Sequence, residues 1–158
     1  MSKFNFVAVR KNIDQVKREL PALLTNDAQN YFLNSFRQQG WNGNPWEQVQ
    51  RRDPDTNAYK YPKNRGLSRR TKPILIGTGR LRREVSNLGA NARTQYFRYN
   101  FKVTMRLNAS IVPYGKYHNA GADHLPQRKF MGDSPALRRI LRRRIDNYMK
   151  KVWEAKAA

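Results

Sequence analysis

The chain has 158 residues, with 32 Lys or Arg against 11 Asp or Glu, and so carries a formal net charge of +21. It has no cysteine, which excludes a disulfide framework, a thiolate metal site and a Cys nucleophile. It also lacks an apolar run of the ~18 residues that a membrane-spanning helix needs, and its opening residues lack the apolar core of a secretory leader, so neither is expected. The length fits a single domain that can bury about 70% of its unfolded surface, and an aromatic fraction of 11% argues for a folded chain.

The first segment, residues 1–40, reads as helical. Ile13, Val16, Leu20, Leu23, Leu24, Ala28, Tyr31, Phe32 and Phe36 recur at three- and four-residue steps. Pro21 falls inside this pattern, where its missing N–H and its clash with the preceding turn predict a kink or two helices. Gly40 fits the stop. Residues 41–73 read as a long loop, rich in turn formers: Trp41-Asn42-Gly43-Asn44-Pro45-Trp46, Asp53-Pro54-Asp55 and Tyr61-Pro62. It is strongly basic through Arg51, Arg52, Lys60, Lys63, Arg65, Arg69, Arg70 and Lys72. Connections of this length are as a rule functional or ordered by a partner, and the tryptophans are expected to anchor its start.

Residues 74–132 read as a sheet and turn region. Ile74-Leu75-Ile76 leads into Gly77-Thr78-Gly79-Arg80-Leu81, where Thr78 is placed to cap a short helix through Leu81 and Val85 that ends near Gly89. Phe97, Tyr99, Phe101, Val103, Met105 and Leu107 then alternate with Arg98, Asn100, Lys102, Thr104 and Arg106. Period two predicts a strand with one buried and one polar face. The run exceeds the usual five or six residues, so a bent strand and a pair of strands across a turn are both open. Asn108-Ala109 is expected to turn the chain into a second strand, 110–112, limited by Pro113. Residues 133–158 read as a long helix: Asp133 or Ser134 caps it and Pro135 opens it. Leu137, Ile140, Leu141, Ile145, Tyr148, Val152 and Trp153 form its apolar stripe, and the helix is expected to pack on the sheet.

Little here supports catalysis. His118 and His124 lie six residues apart with Asp123 as the only carboxylate nearby, too few ligands for a metal site. Asp53 and Asp55 flank a proline and read as turn residues. Gly77-Thr78-Gly79 is too short for a phosphate loop and lacks its Lys-Ser/Thr pair. Nucleic acid is a natural partner for so basic a chain. Arg98, Lys102 and Arg106 share the polar strand face and could track a phosphate backbone. The strand aromatics, however, fall on the opposite, core-forming face, and only Tyr96 shares the basic side, so no base-stacking platform is expected. The basic and apolar faces of the last helix admit a lipid-surface reading, but its apolar stripe is the natural lid of the strand face.

The order of motifs adds to this. After the helical segment and the Trp41–Trp46 loop come Ile74-Leu75 with Thr78-Gly79-Arg80-Leu81-Arg82, then Tyr114-Gly115-Lys116-Tyr117-His118-Asn119-Ala120-Gly121, then Pro126-Gln127-Arg128-Lys129-Phe130-Met131-Gly132 ahead of the last helix. Over about residues 25–155 this resembles the tailed-phage virion morphogenesis family, the Mu-like group of tail-completion proteins. The shared blocks are a leucine followed by Gly-x-Leu-Arg, then Tyr-x-x-x-His-x-x-Gly, then Pro-x-Arg-x-Phe-x-Gly. Pro113 and the long basic stretch 51–72 depart from the pattern, and the latter reads as an insertion with its own partner.

The resemblance implies an α+β structural protein of the virion neck, assembled in the host cytoplasm, with no enzymatic activity and no cofactor. It implies a ring of identical subunits, hexameric in the family, that joins or caps the tail. Tail-tube or tail-terminator proteins and head-closure or connector proteins would be its neighbours, with non-specific contact to packaged DNA and none to membrane. The expected architecture is a small antiparallel sheet packed by an N-terminal helix and a long C-terminal amphipathic helix, with a long basic loop. The expected contact residues are Arg51, Arg52, Arg65, Arg69 and Arg70 in the loop, and Tyr114, Tyr117, His118, Arg128 and Phe130 in the second and third blocks. Tyr and Arg are enriched where protein surfaces meet. Against this, Phe130 and Tyr117 can plug the core edge while Arg128 caps a carbonyl or carboxylate. Arg98, Lys102 and Arg106 are the candidates to face DNA. The rival function is a non-specific nucleic-acid-binding protein. The basic excess lies mostly in residues 51–83 and in the last helix, which favours acidic partner subunits over DNA for most of it.

Overall fold

Asn5 starts the first helix: its side-chain oxygen accepts from the Ala8 N–H at 3.1 Å and its carbonyl from Val9 at 3.1 Å, satisfying two of the donors that a helix start leaves open. In the computed structural model, which describes residues 5–61, 68–98, 100–122 and 125–154, helix α1 then runs unbroken from Phe6 to Gln38. The expected division at Pro21 does not occur. Proline costs a helix interior about 3 kcal/mol, but Leu20, Thr25 and Ala28 are buried around it, and their packing outweighs the lost bond. Gln39 ends the helix by taking the left-handed conformation (φ 52°). Gly40 serves another need: a Cβ there would lie 2.4 Å from the Asn44 carbonyl oxygen, across the two-residue strands β1 (Gly40–Trp41) and β2 (Asn44–Pro45).

The protein is α+β, with these elements followed by α2 (Asn57–Lys60), α3 (Ser68–Thr71), α4 (Arg80–Ser86), β3 (Arg93–Tyr96), β4 (Phe101–Thr104), α5 (Gly115–Ala120) and α6 (Pro135–Glu154). The chain divides into two compact units, one of residues 1–30, 88–106 and 133–158, the other of 31–87 and 107–132.

In the first unit α6 begins as its sequence indicates. The Ser134 hydroxyl oxygen accepts from Leu137 N–H at 3.0 Å, and Pro135 is the first helical residue. Asp133 instead pairs with the Arg138 guanidinium. The helix packs through Tyr148 and Val152 against Leu20 of α1, with Val16, Leu23, Leu24 and Phe101 around them. Arg144 adds a two-pronged pair with Asp27, at 2.6 and 2.8 Å. The buried stripe is therefore narrower than the apolar pattern. Leu137, Tyr148 and Val152 are inside, whereas Ile140, Ile145 and Trp153 are exposed.

The long alternating run resolves into a hairpin, the paired-strand alternative. β3 and β4 are antiparallel, with Arg93 opposite Thr104, Thr94 opposite Val103, Gln95 opposite Lys102 and Tyr96 opposite Phe101. The turn closes where the Phe97 N–H donates to the Asn100 carbonyl at 2.8 Å. Phe97 is consequently 53% exposed rather than in the core; Tyr99 lies outside the described residues. No second strand forms at 110–112, where the N–H groups of Ile111 and Val112 bond back to Asn108 in a turn.

Tyr148 donates its hydroxyl to Glu19 at 2.7 Å. Burial, and then the bond to Glu19, push its pKa up to about 12, while that bond holds the Glu19 carboxyl below its ordinary value. A raised pKa means the folded state favours the neutral phenol. The contribution is whole below the ordinary value of 10 and is lost as pH rises toward 12. Tyr148→Phe is expected to lower stability by about 0.5–1.5 kcal/mol in neutral urea titrations. The gap between parent and variant should close between pH 10 and 12; a constant gap would refute the assignment.

Candidate functional site

The three sequence blocks lie in the second unit. The first forms α4, with Leu81 and Val85 buried. Its cap is Gly79 in the left-handed region (φ 76°) with no side-chain bond, so Thr78 does not cap it. The second block forms α5, a helix its turn-rich sequence conceals. Gly121 ends it at φ +73°, with its N–H on the Tyr117 carbonyl at 2.8 Å. A Cβ at Gly121 would stand 2.8 Å from the Cβ of Gln127 and 3.0 Å from its backbone, so the chain can pass here only with glycine.

That close passage joins the second block to the third. Arg128 N–H donates to the His118 carbonyl at 2.8 Å, and Asn119 Oδ1 accepts from both Phe130 and Met131 N–H at 3.0 Å. Phe130 is fully buried against Phe36, with ring centroids 5.4 Å apart, and Phe36 meets Trp46 edge-on at 5.7 Å. Trp46 Nε1 donates to the Lys129 carbonyl at 2.8 Å, which anchors the loop start as its residue type suggests. Arg128 is buried, and its Nε and Nη2 both donate to the Glu47 carbonyl, at 3.3 and 3.2 Å. Burial lowers the Arg128 pKa, with Glu47 opposing. Of the two roles open to Arg128 and Phe130, the packing supports the internal one: a core plug and a carbonyl cap rather than a presented contact surface.

Beside this motif lies a pocket of ≈ 400 Å³ lined by Leu75, Gly77, Thr78, Gly79, Arg80, Leu81, Tyr114 and His118. Tyr114 meets the His118 ring edge-on at 6.1 Å. The His118 Nδ1 is buried without a hydrogen-bond partner among the described residues. Burial, and then repulsion from Arg128, hold its pKa below the ordinary value, so the imidazole is neutral at pH 7. Tyr114 and Tyr117 stay more than a third exposed, and the Lys116 ammonium lies 4.7 Å from the Tyr117 ring centre. No three His, Asp or Glu side chains gather to hold a metal among the described residues. Asp123 and His124 lie outside them.

Three arginines of the basic loop bond backbone carbonyls, while Lys60 and Lys72 are exposed. Arg51 donates to the Lys72 carbonyl at 2.9 Å, and Arg52 to the carbonyls of Arg70 and Lys72, both at 3.0 Å. Together they close the carbonyl end of α3, the end that favours cations. Arg70 lies over the Tyr59 ring at 3.8 Å and bonds the Tyr59 carbonyl. Arg69 is in α3, and Arg65 lies outside the described residues. The described residues of the expected structureless loop thus include short helices tied by guanidinium–carbonyl bonds.

In the first unit the hairpin gathers Lys102 and Arg106 with Asn91, Arg93, Gln95 and Thr104 along one groove of ≈ 480 Å³. Arg98, expected on the same face, belongs to the hairpin turn instead. Arg93 takes its place, because facing residues sum to an odd number across this turn and the polar parity inverts. Tyr96 moves for the same reason: it pairs with Phe101 and leaves the basic side. Lys102 and Arg106 were legible from alternation, but Arg93 required the position of the turn. No family model, curated protein or solved structure matches the chain.

The lowered His118 pKa has a defined sign. Above the ordinary histidine value of ~6.5 both states are neutral; as pH falls below it the unfolded chain takes up a proton that the fold resists, and stability is lost. Urea midpoints measured from pH 8 to 5 should fall more for the parent than for His118→Gln, and parallel curves would exclude the effect. Phe130→Ala should cost about 3–5 kcal/mol in the same titrations, because the site is sealed on all sides.

Proposed function

We propose that the chain is a structural subunit of the head–tail junction of a tailed phage, one of a ring that joins or caps the tail. The observation that carries this reading is the convergence of the three blocks. Separated in sequence, Thr78–Arg82, Tyr114–Gly121 and Pro126–Gly132 belong to one motif: Arg80, Leu81, Tyr114 and His118 line one pocket, and the second and third blocks are hydrogen-bonded to each other. A shared order of weak motifs gains weight when they make one packed object. The ring symmetry, six by the resemblance, and the tail and connector neighbours belong to the same proposal, as does the absence of enzymatic activity.

A ring subunit needs exposed side chains suited to partner proteins. In the motif these are Tyr114 and Tyr117, with Ile111 and Leu125 also exposed. Tyrosine supplies apolar area and a hydroxyl at low entropic cost, as interfaces favour. Arg128 and Phe130 hold this surface in place from behind.

Phage lacking the protein should yield separate heads and tails by electron microscopy, and joined infectious particles would refute the reading. In complementation, a Tyr114→Ala/Tyr117→Ala double variant should lower infectious titre at least tenfold while its thermal midpoint stays within a few degrees. Surface substitutions away from special features cost about 0.5 kcal/mol or less each. Arg128→Ala should lower titre by unfolding, visible as a reduced midpoint.

A further inference from the structure

The polar face of the β3–β4 hairpin gathers cations along one groove. Phe101 of β4 packs into the core of the first unit, so alternation turns Lys102 and Thr104 the other way. Across the ladder, Gln95 faces Lys102 and Arg93 faces Thr104, and Asn91 and Arg106 extend the same groove. Three cations are therefore interleaved with three neutral hydrogen-bonding side chains. Residues 88–106 contain four basic residues and no acid.

We propose that this hairpin face binds duplex nucleic acid through its phosphate backbone. What the lining lacks weighs against the alternatives. Single-strand sites stack bases on aromatic rings, and the groove has none; Tyr96 and Phe101 belong to the other face. Protein interfaces set Trp and Tyr beside Arg as their anchors, and of these the groove offers Arg alone. Arg and Lys flanked by Asn, Gln and Thr are the donors that phosphate contacts draw on. Such contacts fix orientation without reading sequence, so the binding is sequence-independent. The assignment stands on the hairpin alone and does not depend on the neck reading.

The test is salt-dependent binding of the full chain to a blunt DNA duplex, followed by fluorescence anisotropy. The variant Arg93→Gln/Lys102→Gln/Arg106→Gln should reduce the log–log salt slope by about 2 to 3 and weaken binding at ~0.1 M salt by about 100-fold or more. A charge-matched control on the exposed face of α6, Arg139→Gln/Arg142→Gln/Arg143→Gln, should retain most of the slope. Equal losses in both variants would mean attraction by net charge alone and overturn the site. A readout on the unaltered protein removes any question of folding. Bound duplex should protect Lys102 from amine acylation while Lys150 and Lys151 of α6 remain labelled, and unprotected Lys102 overturns the proposal. Poly-glutamate of matched charge should displace the duplex only weakly. If it binds the parent as tightly as DNA and loses affinity equally in the hairpin variant, the site takes acidic protein and the nucleic-acid assignment fails.

Discussion

The structure depends on guanidinium groups bonding backbone oxygen. With 32 basic side chains and 11 acids, carboxylates cannot neutralise the cations. Several arginines, buried and half-buried, bond carbonyls instead. Arg128 does so at Glu47, Arg51 and Arg52 at the end of α3, and Arg70 at Tyr59. A charged donor on a neutral acceptor makes a stronger bond than a neutral pair, about 1.5–3 kcal/mol in net terms. It also satisfies carbonyls that short helices leave open. Elements of four residues, too short to hold themselves together, are therefore ordered by arginines from neighbouring turns.

Two acids serve where one long helix meets another. Glu19 and Asp27 of α1 take Tyr148 and Arg144 of α6. Such pairs sit at the edge of an apolar seam, and their geometry sets which faces meet. The seam itself, Leu20 with Tyr148 and Val152, carries the stability, because partly exposed ion pairs add ~1 kcal/mol or less.

How much of this was legible depended on the range of the interaction. The start of α6 was legible to within one residue, since a capping Asp or Ser, a proline and an apolar period within a few residues contain their own physics; the structure chose Ser134 over Asp133 as the cap. The helical and alternating periods gave helices and paired strands, and the α+β class entered with the resemblance. The hairpin faces were legible only by half. Alternation assigns parity within one strand, and a tight turn inverts it for the partner, so Arg93 and Tyr96 exchanged sides relative to the simple reading. Pro21 misled because local propensity spoke against a helix that packing on both sides sustains. The α6 stripe was too generous for the opposite reason: a sequence lists apolar residues without saying which ones a neighbour covers. Arg128 is the sharpest case. Its carbonyl partner at Glu47 is 81 residues away, and no local pattern marks it.

This bears on how motif residues are to be understood. The residues of the third block that drew attention as contacts, Arg128 and Phe130, are held inside the fold. A position so constrained tolerates few residue types even when it touches no partner, since replacing it leaves either a cavity or an unpaired carbonyl. Contact residues obey a looser rule, needing only exposure and suitable chemistry, and so leave a fainter pattern. Along a few residues of this chain exposed and bonded positions alternate: Tyr114 and Tyr117 are more than a third exposed, while the adjoining His118 and Asn119 accept from the backbone of 128–131. The blocks therefore mix fixed and exposed positions: Tyr114 and His118 both belong to the second, and of the two it is the His118 backbone that is bonded to the third.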